Sequence, residues 1–128
     1  MKLLIDTHIA LWLFNEHEKL SANVKNYLLD ETNELNISIV SAWEVAIKSS
    51  LGKLGDFKGG VKTFLSAINN HPIELLPVSI QHVILVESLP FIHRDPFDRL
   101  LIATAISEHM SIITVDENIQ KYDVPVIW

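Results

Sequence analysis

The run Leu3-Leu4-Ile5 has no polar residue in it, and Ser111 to Val115, near the other end of the chain, has the same buried character. A strand of this kind must be covered on both faces, a condition met inside a parallel sheet flanked by helices. The intervening chain supplies the helices. One runs through Ala10-Leu11-Trp12-Leu13-Phe14. A second starts at Ser21, carries Val24, Tyr27 and Leu28 at helical spacing, and ends near Asp30-Glu31-Thr32-Asn33. Leu35 to Val40 reads as the second strand. Ser41-Ala42-Trp43-Glu44 opens a third helix bearing Val45, Ile47 and Leu51, and all four glycines then fall between Gly52 and Gly60, the one flexible loop expected.

Beyond that loop, Val61, Phe64, Leu65 and Ile68 mark a helix, Ile73 to Leu76 a strand, and Ile80 to Leu89 a helix closed by Pro90. Pro96 sits in the first turn of a long helix reaching about His109. Glu117 to Lys121 reads as a short helix and Val124 to Trp128 as a last strand. Strand and helix alternate, so the expected class is α/β, a three-layer α/β/α arrangement around a central parallel sheet with right-handed crossovers. With 128 residues, 48% of them hydrophobic, residues 1–128 are expected to form a single domain.

The absence of cysteine excludes disulfides, thiolate zinc sites and cysteine nucleophiles. Asp6 and His8 interrupt the apolar start, so it reads as a strand rather than an export signal. No stretch of about 18 apolar residues occurs. A cytoplasmic protein without membrane contact is therefore the expectation. The net charge of −6 argues against a broad basic face for nucleic acid. Setting aside four candidate metal ligands, however, leaves 12 acids against 10 bases, close to balance.

Those four are Asp6, Glu44, Asp98 and Asp116. In a parallel sheet the residues just after each strand gather at one edge, where such folds place their ligands. Asp6 follows the first strand, Glu44 lies four residues past Val40, and Asp116 follows Thr114-Val115. Asp98 stands in the first turn of the helix feeding Ser111 to Val115. Each has a structural alternative. Ser41-Ala42-Trp43-Glu44 has a capping-box pattern, Asp95-Pro96-Phe97-Asp98 resembles one, and Asp6 or Asp116 can each cap a short helix.

Capping does not account for the coincidence of four, because carboxylates brought close together repel and tend to protonate. A divalent cation removes that penalty. Oxygen donors, with no HExxH-type histidine pair, point to Mg2+ or Mn2+ rather than zinc. Leu101, Ile102 and Ala105 share the helical face of Asp98, so that acid projects from an apolar stripe where an unpaired charge is costly. Such a centre suits attack of an activated water on a phosphodiester.

The stretches Leu4-Ile5-Asp6-Thr7-His8, Ser41-Ala42-Trp43-Glu44, His93-Arg94-Asp95-Pro96-Phe97-Asp98-Arg99-Leu100-Leu101-Ile102-Ala103 and Thr114-Val115-Asp116, in this order, make the chain resemble PIN domains, and among them the VapC toxins of toxin-antitoxin pairs. The resemblance implies a single PIN-like ribonuclease domain over residues 1–128. It also implies Mg2+- or Mn2+-dependent cleavage of an RNA substrate, a cognate antitoxin protein as inhibitor, and a homodimer. Its acidic residues carry over to Asp6, Glu44, Asp98 and Asp116, with Thr114 a hydroxyl near the metal.

Thr7, His8, His93, Arg94 and Arg99 flank the acids as auxiliary candidates, able to hold phosphate or stabilise developing charge. For Arg94 and Arg99 an ion pair with a neighbouring acid is the competing reading, for the histidines packing or a surface place, and for Asp95 a helix cap. Trp12, Phe14, Trp43 and Phe57 read as packing residues, a subset of them able to form a groove for an antitoxin helix. Lys48, Lys53, Lys58 and Lys62 flank the glycine loop, and Lys48 can pair with Glu44 one turn earlier. A haloacid-dehalogenase-type phosphatase also has an Asp after its first strand, but it needs a second Asp two residues on, where this chain has His8. A non-catalytic PIN-fold binding module remains the alternative in which the acids are caps.

Overall fold

The structure, a computed structural model, describes residues 1–128. Strand β1 (Lys2–Ile5) leads into helices α1 (Thr7–Asn15) and α2 (Ala22–Leu29), with a 3-10 turn at His17–Lys19 between them. Then follow β2 (Glu34–Ser38), α3 (Ile39–Ser50), α4 (Gly60–Asn69), β3 (Ile73–Leu76), α5 (Ile80–Ser88), α6 (Pro96–Ser107), β4 (Ser111–Ile113), a second 3-10 turn (Ile119–Lys121) and β5 (Val126–Ile127). The five strands form one sheet in the order β3-β2-β1-β4-β5, every pairing parallel. No helix is long and apolar enough to cross a membrane.

Successive side chains of a strand point to opposite faces, and the sheet sorts them accordingly. Leu3 and Ile5 of β1 join Ile113 in a cluster beneath α1, α2 and α4 with Ile9, Val24, Phe64 and Ile68. Leu4 and Ile112 face the other way and pack with Leu101, Ile102 and Ala105 of α6. The unalternated apolar run thus serves two cores, one on each side, and the three-layer expectation holds. The apolar stripe of Leu101, Ile102 and Ala105 is fully buried.

Several boundaries differ from the sequence expectation. Helix α1 begins at Thr7, not Ala10, because Asp6 caps it: Oδ1 accepts from the His8 and Ile9 N–H groups at 2.7 and 3.1 Å. Strand β2 stops at Ser38 rather than Val40, and Ser38, not a residue of the Ser41 segment, caps α3 by accepting from Val40 N–H at 3.1 Å. The capping-box reading of Ser41 to Glu44 is therefore overturned. Ser41 is the third residue of the helix, buried, and its Oγ accepts from Thr7 Oγ1 at 2.8 Å, tying α3 to α1. The last strand is shorter than Val124 to Trp128. In the glycine loop, Gly59 has φ +92° and a Cβ there would meet Thr63 Oγ1 at 2.0 Å, so the entry to α4 requires glycine.

Candidate functional site

The chain steps from β1 outward to β2 and β3, then returns across the sheet to place β4 on the other side of β1. The junction of β1 and β4 is the point where strand order reverses, and ligands of open α/β sheets bind beyond the strand ends there. Asp6 leaves β1 at this point, its N–H donating to Ile113 O at 3.1 Å, and Thr114 leaves β4 beside it. Thr114 is fully buried. Its hydroxyl donates to Asp6 Oδ2 and accepts from Asp116 N–H at 3.0 Å, so one side chain ties two of the four acids to the sheet edge.

Asp6 therefore both caps α1 and lines the cleft at the sheet edge. Burial pushes its carboxyl above the usual carboxylate range, although Thr114 and the Ile9 and His8 amides hydrogen-bond its ionised form. Glu44 is also buried. Its Oε2 accepts from Lys48 Nζ at 2.6 Å, the expected pair one helical turn apart, but Oε1 is buried without any hydrogen-bond partner. That pairing together with burial acts on Lys48: desolvation pulls its ammonium down, and the Glu44 hydrogen bond and charge outweigh it, leaving the pKa raised.

Asp98 follows from the start of α6. Asp95 is the helix cap, accepting from the Phe97 and Asp98 amides at 2.8 and 3.3 Å, and Pro96 takes the first helical position. This fixes Asp98 in the first turn, facing the cleft. Burial, and then the neighbouring charges of Asp95, Asp6 and Glu44, push its carboxyl up to about 7. Asp116 lies in the turn after β4 and behaves oppositely. Burial raises its pKa, but a hydrogen bond from His93 and the Asn118 amide at 2.8 Å outweigh it, and the net shift is downward.

His93 stands between these last two acids. Its Nε2 hydrogen-bonds Asp116 Oδ2 at 2.9 Å and lies 3.0 Å from Asp98 Oδ2. The three side chains offer ligand atoms all within 4.8 Å of one another, while Asp6 and Glu44 are not part of that tight group. All four acids nonetheless line one cleft of about 610 Å3, together with His8, Trp12, Lys19, Lys48 and Lys53. Sequence reasoning left His93 as a phosphate contact or packing residue. The one signal available was its place two residues before an Asp-Pro helix start.

Other candidates separate. Arg99 is a correction: it is buried and touches no acid. Its guanidinium donates to Pro90 O at 3.0 Å, Val86 O at 3.1 Å and Tyr122 Oη at 3.2 Å, and lies over the Phe91 ring at 4.9 Å. A fork of five donors suits a loop whose carbonyls converge, and the loop from α5 to α6 claims it. Arg94 is exposed and also pairs with no acid. Thr7 reaches the cleft but spends its proton on Ser41. His8 is exposed on the rim, its ring 4.9 Å from that of Trp12. Lys58 and Lys62 are exposed and outside the cleft lining.

The residues fit a divalent cation. A buried carboxylate oxygen without a partner, Glu44 Oε1, is costly unless something positive meets it, and Asp98 is surrounded by acids that a cation would neutralise. Hard oxygen donors dominate the set.

The fold has counterparts among known proteins. Residues 3–125 match the family model of the PIN domain. Ribonuclease VapC22 of Mycobacterium tuberculosis is 27% identical over 126 residues, covering 96% of this chain and 93% of that protein. Among solved structures, VapBC2 of Rickettsia felis bound to a promoter DNA fragment superposes with a TM-score of 0.75 at 18% identity, covering 99% of this chain and 98% of the other. VapBC-5 of Mycobacterium tuberculosis gives a TM-score of 0.65 at 16% identity, covering 98% and 97%. With the match running over nearly its whole length and the acids gathered where strand order reverses, this chain belongs to the PIN domain family.

Proposed function

We propose that this chain is a divalent-metal-dependent endoribonuclease, the VapC-type toxin of a toxin-antitoxin pair, in which Asp6, Glu44, Asp98 and Asp116 hold Mg2+ or Mn2+. The observation that carries the reading is the partnerless, buried Glu44 Oε1 in a cleft shared with three further carboxylates. When bound, the cation lowers the pKa of an attacking water and neutralises charge developing on the phosphate. Thr114 orients Asp6, and the first turn of α6 aims Asp98. Lys19, Lys48 and Lys53 on the cleft wall offer positive charge to a phosphate chain, and Trp12 with His8 offers a ring surface to a base. In-line attack by water leaves 5'-phosphate and 3'-hydroxyl ends.

RNA as substrate is supported by the name of the ribonuclease that shares 27% of its residues, and an antitoxin partner by the VapBC complexes that share its fold. A homodimer in the cytoplasm completes the proposal. Support for self-association comes from apolar side chains left exposed, among them Trp43, edge-on to Phe97 at 4.9 Å, and Ile80, Val83 and Ile84 along α5.

The test is to incubate the purified chain, free of partner, with structured and unstructured RNAs and single-stranded DNA, with Mg2+, Mn2+ or chelator, and to map the ends. Cleavage should need the cation and be lost in Asp6→Asn and Asp98→Asn. Cleavage retained in both variants removes the mechanism, and failure to take up either metal leaves a PIN-fold binding module in its place.

A further inference from the structure

The tight group of His93, Asp98 and Asp116 has the look of a nitrogen-and-two-carboxylate metal triad, yet the surroundings of the ring speak against ligation by His93. Its Nδ1 faces the Asp95 N–H at 3.2 Å. A backbone amide can only donate, so Nδ1 must carry the lone pair and the ring proton resides on Nε2. Nε2 points at Asp116 Oδ2 as a donor. Ligation through Nε2 would move the proton to Nδ1, setting two donors against each other.

The backbone of this segment is equally constrained. The His93 and Ile92 amides donate to Tyr122 Oη at 2.8 and 3.2 Å, and that hydroxyl donates to Pro90 O at 2.8 Å. Arg99 completes the bracket through Pro90 O and Tyr122 Oη. Without His93, Asp116 would keep only backbone amides of the following turn, those of Asn118 and Ile119, on its side chain, and Asp98 would have no side-chain partner within ion-pair distance.

We infer that His93 is a positioning residue, not a ligand: its Nε2–H holds Asp116 against Asp98 so that both present their remaining oxygens to the cation, and the donor set stays all-oxygen. This rests on the proposed metal centre. It also gives the Arg99–Tyr122 bracket a purpose, since that bracket fixes the backbone that carries the imidazole, while the Asp95 N–H sets its tautomer.

Mn2+ serves as the probe. Its dissociation constant is measured by electron paramagnetic resonance for the unaltered chain, His93→Ala and His93→Gln, with circular dichroism as the check on folding. His93→Ala should bind Mn2+ about 10- to 100-fold more weakly, the range for losing a hydrogen-bond partner of a metal ligand. His93→Gln, which restores an N–H at similar reach, should recover most of that loss. Pulsed resonance of the Mn2+-loaded, unaltered chain should show no directly coordinated nitrogen, a readout independent of how either variant folds. A bound-nitrogen signal, or an affinity in folded His93→Ala equal to that of the unaltered chain, overturns the inference while leaving the metal centre standing. An unaltered chain that takes up no Mn2+ overturns both.

Discussion

Replacing Asp98 by Asn should make the metal-free protein more stable while abolishing the proposed cleavage. Asp98 is held among Asp95, Asp6 and Glu44 in a partly buried place, and its carboxyl is raised from 3.8 to about 7. A raised carboxyl pKa means that the folded state keeps a proton which the unfolded chain has already released, so stability falls as pH climbs through the window from 3.8 to about 7. Below that window the penalty is absent; above it the penalty is complete and constant. At about 1.4 kcal/mol per pKa unit, three units give a ceiling of about 4 kcal/mol. Sharing of the repulsion with Asp6, itself raised, reduces the expected gain to about 2 kcal/mol.

Asparagine has nearly the same shape, can still accept from His93, and carries no charge. In chelator at about pH 8, Asp98→Asn should therefore unfold on the order of 6–10 °C higher than the unaltered chain, with the gap closing toward pH 4. Added Mn2+ should reverse the order, because ligand binding stabilises only the chain that retains the site. The assay is thermal and urea unfolding at both pH values, with and without metal. Equal stability of the two chains at about pH 8 in chelator, or a gap that does not change with pH, would refute the argument from carboxylate crowding.

Two further substitutions probe the supports of the site. Thr114→Val keeps the shape but removes the donor to Asp6 Oδ2 and the acceptor for Asp116 N–H; it should cost about 1.5–3 kcal/mol at about pH 8, less where Asp6 is protonated, and a urea titration showing no loss would contradict the assigned role. Arg99→Lys cannot satisfy Pro90 O, Val86 O and Tyr122 Oη together; it should lower stability by about 2–3 kcal/mol, and a loss under about 0.5 kcal/mol would mean the guanidinium fork is dispensable.

What the amino-acid string revealed follows from which forces are local. Leu3-Leu4-Ile5 marks a doubly covered strand because its composition leaves no solvent face, and the strand's end places Asp6 at the sheet edge. Asp95-Pro96 marks the start of α6 because the cap and the missing N–H are both chemical facts of those residues, and Asp98 follows. The start of α3 was not legible in the same way. Ser38 and Ser41 are equally good caps, Ile39 and Val40 favour strands, and only the packing of Val40 against the α6 side decides that the helix begins first. Arg99 was misplaced because helical spacing gives the direction of a Cβ, not where a long flexible side chain finds its acceptors. His93 was undervalued because its two acids come from residues 5 and 23 positions further on, brought together only by the tertiary fold.

The hydrogen bond from Thr114 to Asp6 spans 108 positions of the chain, and β1 reaches its neighbour β4 only after β2 and β3 have been laid down. During synthesis Asp6 is made well before Thr114, the residue whose hydroxyl orients it. A growing chain that still lacks residues 111 to 116 has neither Thr114 nor Asp116, and the proposed centre is incomplete. The topology therefore makes assembly of the proposed centre wait on the pairing of β4 with β1.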